Sequence, residues 1–256
     1  MGQSLAIVTG AAGDIGRAIA RRLRADHEVV VLADRDLAAA ERAAAALGAG
    51  FVALQLDVTD PAACAAFAQQ VAGLGALQTL VNNAGGVQAA SLQSTSVADW
   101  QADRALNLDA VFLLFSALAD QLKATQGSVV NIASVNGMGV FGHPAYSAAK
   151  AGMIHMTRLI AVEYGKFGIR ANAVAPGTVR TQAWEARAAA NPDIFKEAAA
   201  HYPLGRIARA EDVAEAVGFL ASPLAAAITG ICLPVDCGLT AGIPALARTF
   251  SQSADF

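Results

Sequence analysis

Tyr146 and Lys150 stand four residues apart in Tyr146-Ser147-Ala148-Ala149-Lys150, and Ser134 lies twelve residues upstream of the tyrosine. Residues four apart share one face of a helix, so phenol and ammonium can sit side by side. A neighbouring ammonium favours the phenolate and lowers a pKa that is otherwise about 10, which predicts a proton donor and acceptor usable near neutral pH. A serine close by would hold the oxygen of an alcohol or ketone. The spacing alone also occurs in many ordinary helices, and it gains weight from a glycine-rich turn at the start of the chain.

That turn is Thr9-Gly10-Ala11-Ala12-Gly13-Asp14-Ile15-Gly16, between a first strand and a first helix. Glycine lets the backbone approach a ligand closely, and the helix start offers unpaired N–H groups that suit a pyrophosphate. Asp34 closes the second strand 18 residues after Gly16. A carboxylate there accepts hydrogen bonds from an adenosine ribose and repels a 2′-phosphate, so NAD is expected over NADP, although Arg35 next door offsets part of that repulsion. Asp57-Val58 ends the third strand, where a carboxylate would meet the adenine amino group. Asn82-Asn83-Ala84-Gly85 ends the fourth, where small residues let the chain pass close to a flat ligand.

Elements must position these residues. Apolar runs at Leu5–Thr9, Val29–Ala33, Phe51–Leu56, Thr79–Val81, Ser128–Ala133, Arg170–Val174 and Ile231–Val235 read as buried strands. Helical stretches lie between them at Ile15–Arg24, Leu37–Leu47, Pro61–Val71 (capped by Asp60), about Val97 to Lys123, about Ala145 to Tyr164, and Glu211–Leu220. The alternation predicts an α/β fold, a single doubly wound parallel sheet with helices on both faces over residues 1–256. Thr178–Tyr202 interrupts the pattern and reads as a lid or a surface excursion. The tail Ile243–Phe256 reads as a cover for a neighbouring subunit's site or as a disordered end.

The 256 residues are 55% hydrophobic and 15% charged, apolar enough for a covered sheet and subunit contacts. A net charge of −3 without a basic cluster gives no reason to expect nucleic acid. The apolar segments look too short or too interrupted to span a bilayer. Cys64, Cys232 and Cys237 lack metal-ligand spacing and read as reduced, packed thiols in a cytoplasmic protein. A strand entered by Leu5 leaves no room for a signal peptide. Met1-Gly2 lacks the Ser or Thr that myristoylation needs at position 6, which is Ala6.

From Leu5 to about Gly242 the chain resembles the short-chain dehydrogenase/reductase family. The resemblance rests on the ordered set Thr9-Gly10 to Gly16, Asp34, Asp57, Asn82-Asn83-Ala84-Gly85, Asn107, Ser134, Tyr146 with Lys150, and Pro176-Gly177. It implies a seven-stranded Rossmann-type sheet, a nicotinamide cofactor and commonly a homotetramer. Carried over, Tyr146 is the general acid/base, Lys150 lowers its pKa and holds the nicotinamide ribose, and Ser134 bonds the reacting oxygen. Asn107 supports a water relay, and Val179 and Thr181 meet the carboxamide. The chain departs from the family at Asp14, where a glycine is usual, and at Cys237 in Asp236-Cys237-Gly238.

Substrate identity is faint. Asn136, Met138, His143, Gln88, Trp184, Arg187, His201 and Tyr202 flank the catalytic segments, and their donors favour a polar secondary alcohol or ketone such as a sugar, polyol or sugar acid. A 3-oxoacyl thioester, a hydrophobic ketone or a steroid stays open. So do an epimerase that retains its cofactor and a non-catalytic NAD-binding regulatory protein.

Overall fold

Strands buried on both faces must be apolar throughout, and the central strands of this chain are: Leu5, Ala6, Ile7 and Val8 are inaccessible to solvent, as are Val30, Val31 and Leu32. The computed structural model describes residues 2–255, the side chains of residues 183 and 185–187 excepted. In chain order the elements are β1 (Ser4–Thr9), α1 (Asp14–Leu23), β2 (Val29–Asp34), α2 (Leu37–Leu47), β3 (Phe51–Gln55), α3 (Pro61–Ala72), β4 (Ala76–Asn82), α4 (Val97–Arg104), α5 (Ala110–Thr125) and β5 (Ser128–Ile132). Then come α6 (Pro144–Tyr164), β6 (Arg170–Pro176), β7 (Val179–Arg180), α7 (Glu185–Ala190), α8 (Ile194–Ala199), β8 (Ala208–Arg209), α9 (Ala210–Ala221), β9 (Cys232–Val235) and α10 (Pro244–Ser251).

Seven strands form one parallel sheet in the order β3-β2-β1-β4-β5-β6-β9. One apolar layer packs α3, α5 and α6 against it through Phe67, Leu114, Leu118 and Ile160, and the other packs α1, α2 and α9 through Ile19, Leu23, Ala43 and Val217. The order reverses between β1 and β4, which opens a crevice at the carboxyl ends of the strands. Local chemistry sets the helix starts. Asp36 accepts from Ala39 N and Asp60 from Ala62 N with Pro61 behind it, while Ser96 and Asp99 form a capping box.

The seven expected strands are present, with β4 starting earlier than the sequence suggested. Two expectations need correction. The helix read from about Val97 to Lys123 is interrupted by a π turn over Ala105–Asp109, which the sequence does not mark because the apolar pattern runs on through it with no local breaker. The stretch Val97–Thr125 is also long and apolar enough to cross a membrane by length and composition. Leu114, Phe115, Leu118 and Leu122 are instead buried against the sheet, so that apolar surface serves as core.

The segment after β6 is folded. β7 pairs with β8 through Val179↔Ala208, and α7 and α8 lie between them. Thr178 N donates to Tyr202 Oη at 2.9 Å, tying both ends of the segment together.

Three buried polar groups join β4, β5 and α6. Asn82 Nδ2 donates to Asn131 Oδ1 at 2.8 Å, Asn131 Nδ2 to Thr157 Oγ1 at 2.9 Å, and Thr157 Oγ1 to Met153 O at 2.8 Å. Deleting the middle member strands its neighbours in the core. Asn131→Ala is expected to lower the unfolding free energy by about 2 kcal/mol in urea titrations, and an unchanged midpoint would show that the chain carries no stability.

Candidate active site

The glycine-rich turn is held from below by one hydroxyl. Thr9 Oγ1 accepts from Asn83 N at 2.9 Å and Ala84 N at 3.0 Å, and Asn83 Nδ2 donates to the Thr9 and Gly10 carbonyls. The end of β4 is thereby strapped to the end of β1. Gly10 has φ +61°, and a Cβ there would lie 2.9 Å from Ala84 Cα. A Cβ on Gly16 would lie 2.5 Å from the Gly10 carbonyl, so glycine at 16 lets the turn close onto α1. Asn83 is spent on this strap, a role its place beside the ligand cleft did not suggest.

Asp34 accepts from Ala12 N at 3.0 Å and from Asp36 N at 3.2 Å, pinning the turn to the end of β2. It lines a cavity of about 650 Å³ with Gly10, Gly13, Asp57, Val58, Ala84 and Gly85. Arg35 and Gln88 line it too. Asp57 accepts from Thr59 N and Thr59 Oγ1 through one oxygen, and these bonds hold its carboxyl below the usual range. Asp14 turns outward: its carboxylate pairs with Arg17 and accepts from Gln182 N at 2.6 Å. The charge foreign to a phosphate turn is thus neutralised on the outer face of α1 and linked to the segment after β7.

A second cavity of about 470 Å³ shares Gly85, Gly86 and Val87 with the first, so one cleft crosses the sheet at the reversal of strand order. Ser134, Tyr146 and Lys150 line it, as do Ile15, Asn83, Pro176, Gly177, Val179 and Thr181. Two joined chambers over strand carboxyl ends, floored by glycine and an α-helix start, fit an extended dinucleotide. Gly10, Gly13, Ile15, Asp34, Asp57 and Gly85 would hold its adenosine and phosphates, and Pro176 to Thr181 its nicotinamide end.

Lys150 is 2% exposed, and its Nζ donates to Ile132 O at 2.7 Å while lying 5.5 Å from the centre of the Tyr146 ring. The geometry meets the expected pairing; the electrostatics do not. Burial pushes the Lys150 ammonium down to about 7. Burial also raises the Tyr146 phenol, opposed by the Ser134 hydroxyl and reinforced by the carboxyl of Asp103. Burial is the leading effect on both groups, so the protein alone does not produce the lowered phenol pKa that the spacing suggested.

Asn107 is fully buried inside the π turn, which explains both its position and the turn. Ala110 N reaches back five residues to Ala105 O, and Asn107 Nδ2 donates to Asp103 O at 2.9 Å and to Gly86 O at 2.8 Å. Its Oδ1 accepts from Gly86 N at 3.3 Å. A Cβ on Gly85 would stand 2.9 Å from Asn107 Oδ1 and 3.5 Å from Lys150 Nζ, so glycine is required between them.

The expected substrate residues divide. Asn136 lines the cavity, but its Nδ2 donates to Gly142 O at 2.9 Å and Ser147 Oγ at 3.1 Å, so it clamps the loop before α6 rather than offering an amide to a ligand. His143 starts α6 with φ +54° and bonds Ala89 O through Nδ1 at 3.1 Å. Trp184 and Tyr202 also line this cavity. Met138 and His201 line a neighbouring one. The Arg187 side chain lies outside the described residues.

Two groups escaped the sequence reading. The Ile132 carbonyl orients Lys150, and a carbonyl leaves no mark in residue type. Asp103 is 1% exposed, accepts only a long 3.4 Å bond from Gln88 N, and its Oδ1 has no partner among the described residues. Burial raises its pKa. Asp103 is the one buried residue of α4 among the described residues, and its residue type gives no sign of that burial.

The Lys150 shift has a definite sign. Between about pH 7 and its ordinary 10.5, the unfolded chain carries a proton there that the folded chain has released, so stability rises with pH across that window. Lys150→Met should therefore be more stable than the parent below about pH 7, with the advantage shrinking towards pH 10.5. Urea unfolding of both proteins at a series of pH values checks this, and a difference independent of pH would count against it.

Comparison with known proteins agrees with this geometry. The family model described as Enoyl-(Acyl carrier protein) reductase matches residues 10–240. The crystal structure of an oxidoreductase of the short chain dehydrogenase/reductase family from Burkholderia thailandensis superposes with a TM-score of 0.93 at 42% identity, covering 100% of both chains. The cis-4-hydroxycyclohexanecarboxylate dehydrogenase of Sinomonas cyclohexanicum is 41% identical over 93% of this chain and 97% of its own. The meso-2,3-butanediol dehydrogenase of Serratia marcescens is 38% identical over 92% and 94%. With a doubly wound sheet, a glycine-rich turn on α1 and the Ser134, Tyr146 and Lys150 cluster in one cleft, the chain belongs to the short-chain dehydrogenase/reductase family, and it is an oxidoreductase of CH–OH groups using NAD(P).

Proposed function

We propose that this protein is an NAD-dependent dehydrogenase of secondary alcohols that carry a further polar group, such as a diol or a hydroxy acid. The observation that carries the reading is the convergence of Ser134, Tyr146 and Lys150 on one cavity with Pro176, Gly177, Val179 and Thr181. Relatives named for butanediol and hydroxycyclohexanecarboxylate support the substrate class. When bound, the dinucleotide supplies the hydride acceptor in oxidation and the donor in reduction. Ser134 Oγ donates to the reacting oxygen. Tyr146 Oη takes the hydroxyl proton in oxidation and returns it in reduction. Lys150, fixed on Ile132 O, holds its ammonium over the Tyr146 ring, and Asn107 holds the Gly86 backbone beside it. The cleft walls set the approach of the reacting carbon. Exposed apolar side chains on α5 and α6, Phe112, Leu159 and Val162, support a homotetramer.

Tyr146→Phe is expected to reduce turnover about 10²-fold or more while leaving NADH binding in place, as read by initial rates and by fluorescence of the bound dinucleotide. Near-parental turnover in a variant that binds NADH would refute the assignment of Tyr146.

NAD preference follows from Asp34 in the adenosine cavity. The parent should favour NAD over NADP in kcat/KM. Asp34→Asn should shrink that ratio by about 10- to 100-fold, the scale of hydrogen bonds to a charged group. An unchanged ratio would place the selectivity elsewhere.

A further inference from the structure

The catalytic cavity does not end at the reacting centre. Phe141, Thr178, Tyr202 and Leu239 line both it and an adjoining cavity of about 700 Å³. These four form a neck. Beyond it the walls are Met138, Ala198, Ile243, Pro244 and Ala245, drawn from the loop after β5, from α8 and from the start of α10. Two of the polar side chains on these walls are spent. Tyr202 Oη accepts from Thr178 N at 2.9 Å, and Thr240 Oγ1 donates to Asp236 Oδ2 at 2.7 Å. His201, exposed to solvent, lines the outer chamber and its side chain has no hydrogen-bond partner among the described residues, and Thr178 lines both cavities.

The inner cavity must take the nicotinamide end of the dinucleotide and the reacting carbon together in about 470 Å³. A substrate larger than a few carbons therefore has its remaining volume in the outer chamber, where the surface is apolar. Sites that bind small molecules are largely apolar with a few placed polar groups, and the outer chamber has that character.

Resting on the assignment of Tyr146 as the proton-transfer group, we infer that the substrate is a secondary alcohol with an extended apolar body, ring or chain, which passes the Phe141–Leu239 neck into this chamber. A hydrogen-bond-accepting group at its far end meets His201. Polar groups lie at the two ends of such a molecule and hydrocarbon between them. The inference separates it from open-chain polyols, whose hydroxyl groups would lose water in the chamber without gaining partners.

The test is the NAD-dependent oxidation of 2-butanol, 2-hexanol and 2-octanol, of the 7-hydroxy derivative of octanoic acid, and of a hexitol. All are run with the parent, Ala198→Phe and His201→Leu, with NADH binding measured for each. In the parent, kcat/KM should rise by about 4-fold per methylene along the alkanols, the factor that corresponds to burying one CH₂. Ala198→Phe, which fills the chamber, should flatten the series. His201→Leu should lower the ratio of hydroxyoctanoate to 2-octanol. A flat or falling alkanol series in the parent, or a hexitol preferred over 2-octanol, overturns the inference and leaves the dehydrogenase reading standing. A parent that binds NADH and oxidises no member overturns both.

Discussion

An ammonium group enclosed by protein is costly unless an acceptor meets it, and the site is organised around the one that meets Lys150. Nζ donates to the carbonyl of Ile132, the last residue of β5, from a helix that runs over that strand. The bond fixes α6 in register against the sheet, and Tyr146, one turn earlier on α6, is carried with it. Ser134 follows two residues after Ile132, so the same strand end delivers both the acceptor for the lysine and the hydroxyl facing the tyrosine. The buried chain from Asn82 through Asn131 to Thr157 repeats the tie one layer deeper. Position at the cleft is therefore a property of β5 and α6 together, and loops contribute little to it.

The cofactor side follows a different logic, that of close backbone approach. Thr9 collects two N–H groups with one hydroxyl, and Asn83 returns two bonds to the Thr9 and Gly10 carbonyls, so the turn is rigid without a side chain inside it. Asp14 is compatible with this because Arg17 and the Gln182 amide take its charge out of the turn. Cys237 is a similar accommodation. Its φ of +51° is the left-handed region where glycine is at ease, and a non-glycine residue there carries roughly 1 kcal/mol of strain.

What was legible in the sequence was whatever is encoded locally. Apolar runs of strand length, caps such as Asp60 and the glycines of the first turn each act on near neighbours, and each lies where expected. The π turn was not legible, since Ala105–Asp109 keeps the apolar pattern of the helices on either side. Its cause is the side chain of Asn107 bridging to Gly86, a contact 21 residues away in sequence. The duty of Asn136 was hidden for the same reason: its amide is consumed by Gly142 and Ser147, and only the folded loop brings those acceptors to it. The spacing of Tyr146 and Lys150 reports proximity and says nothing of lost water, and burial raises the phenol and lowers the ammonium in the protein alone.

The two halves of the cleft consequently differ in how far they can vary. Reacting groups and cofactor floor are bound to strand ends by buried hydrogen bonds, and a change there strands a polar group in the core. The walls beyond the neck come from the loop after β5, the segment between β7 and β8, and the chain entering α10, three stretches outside the seven-stranded sheet. A side chain in those walls can change size or polarity with little effect on Lys150 or Thr9. Chemistry and cofactor are thus fixed by the sheet, while substrate choice is left to surfaces that the sheet does not constrain. That division is why residue types alone identified the reaction far more sharply than the molecule that undergoes it.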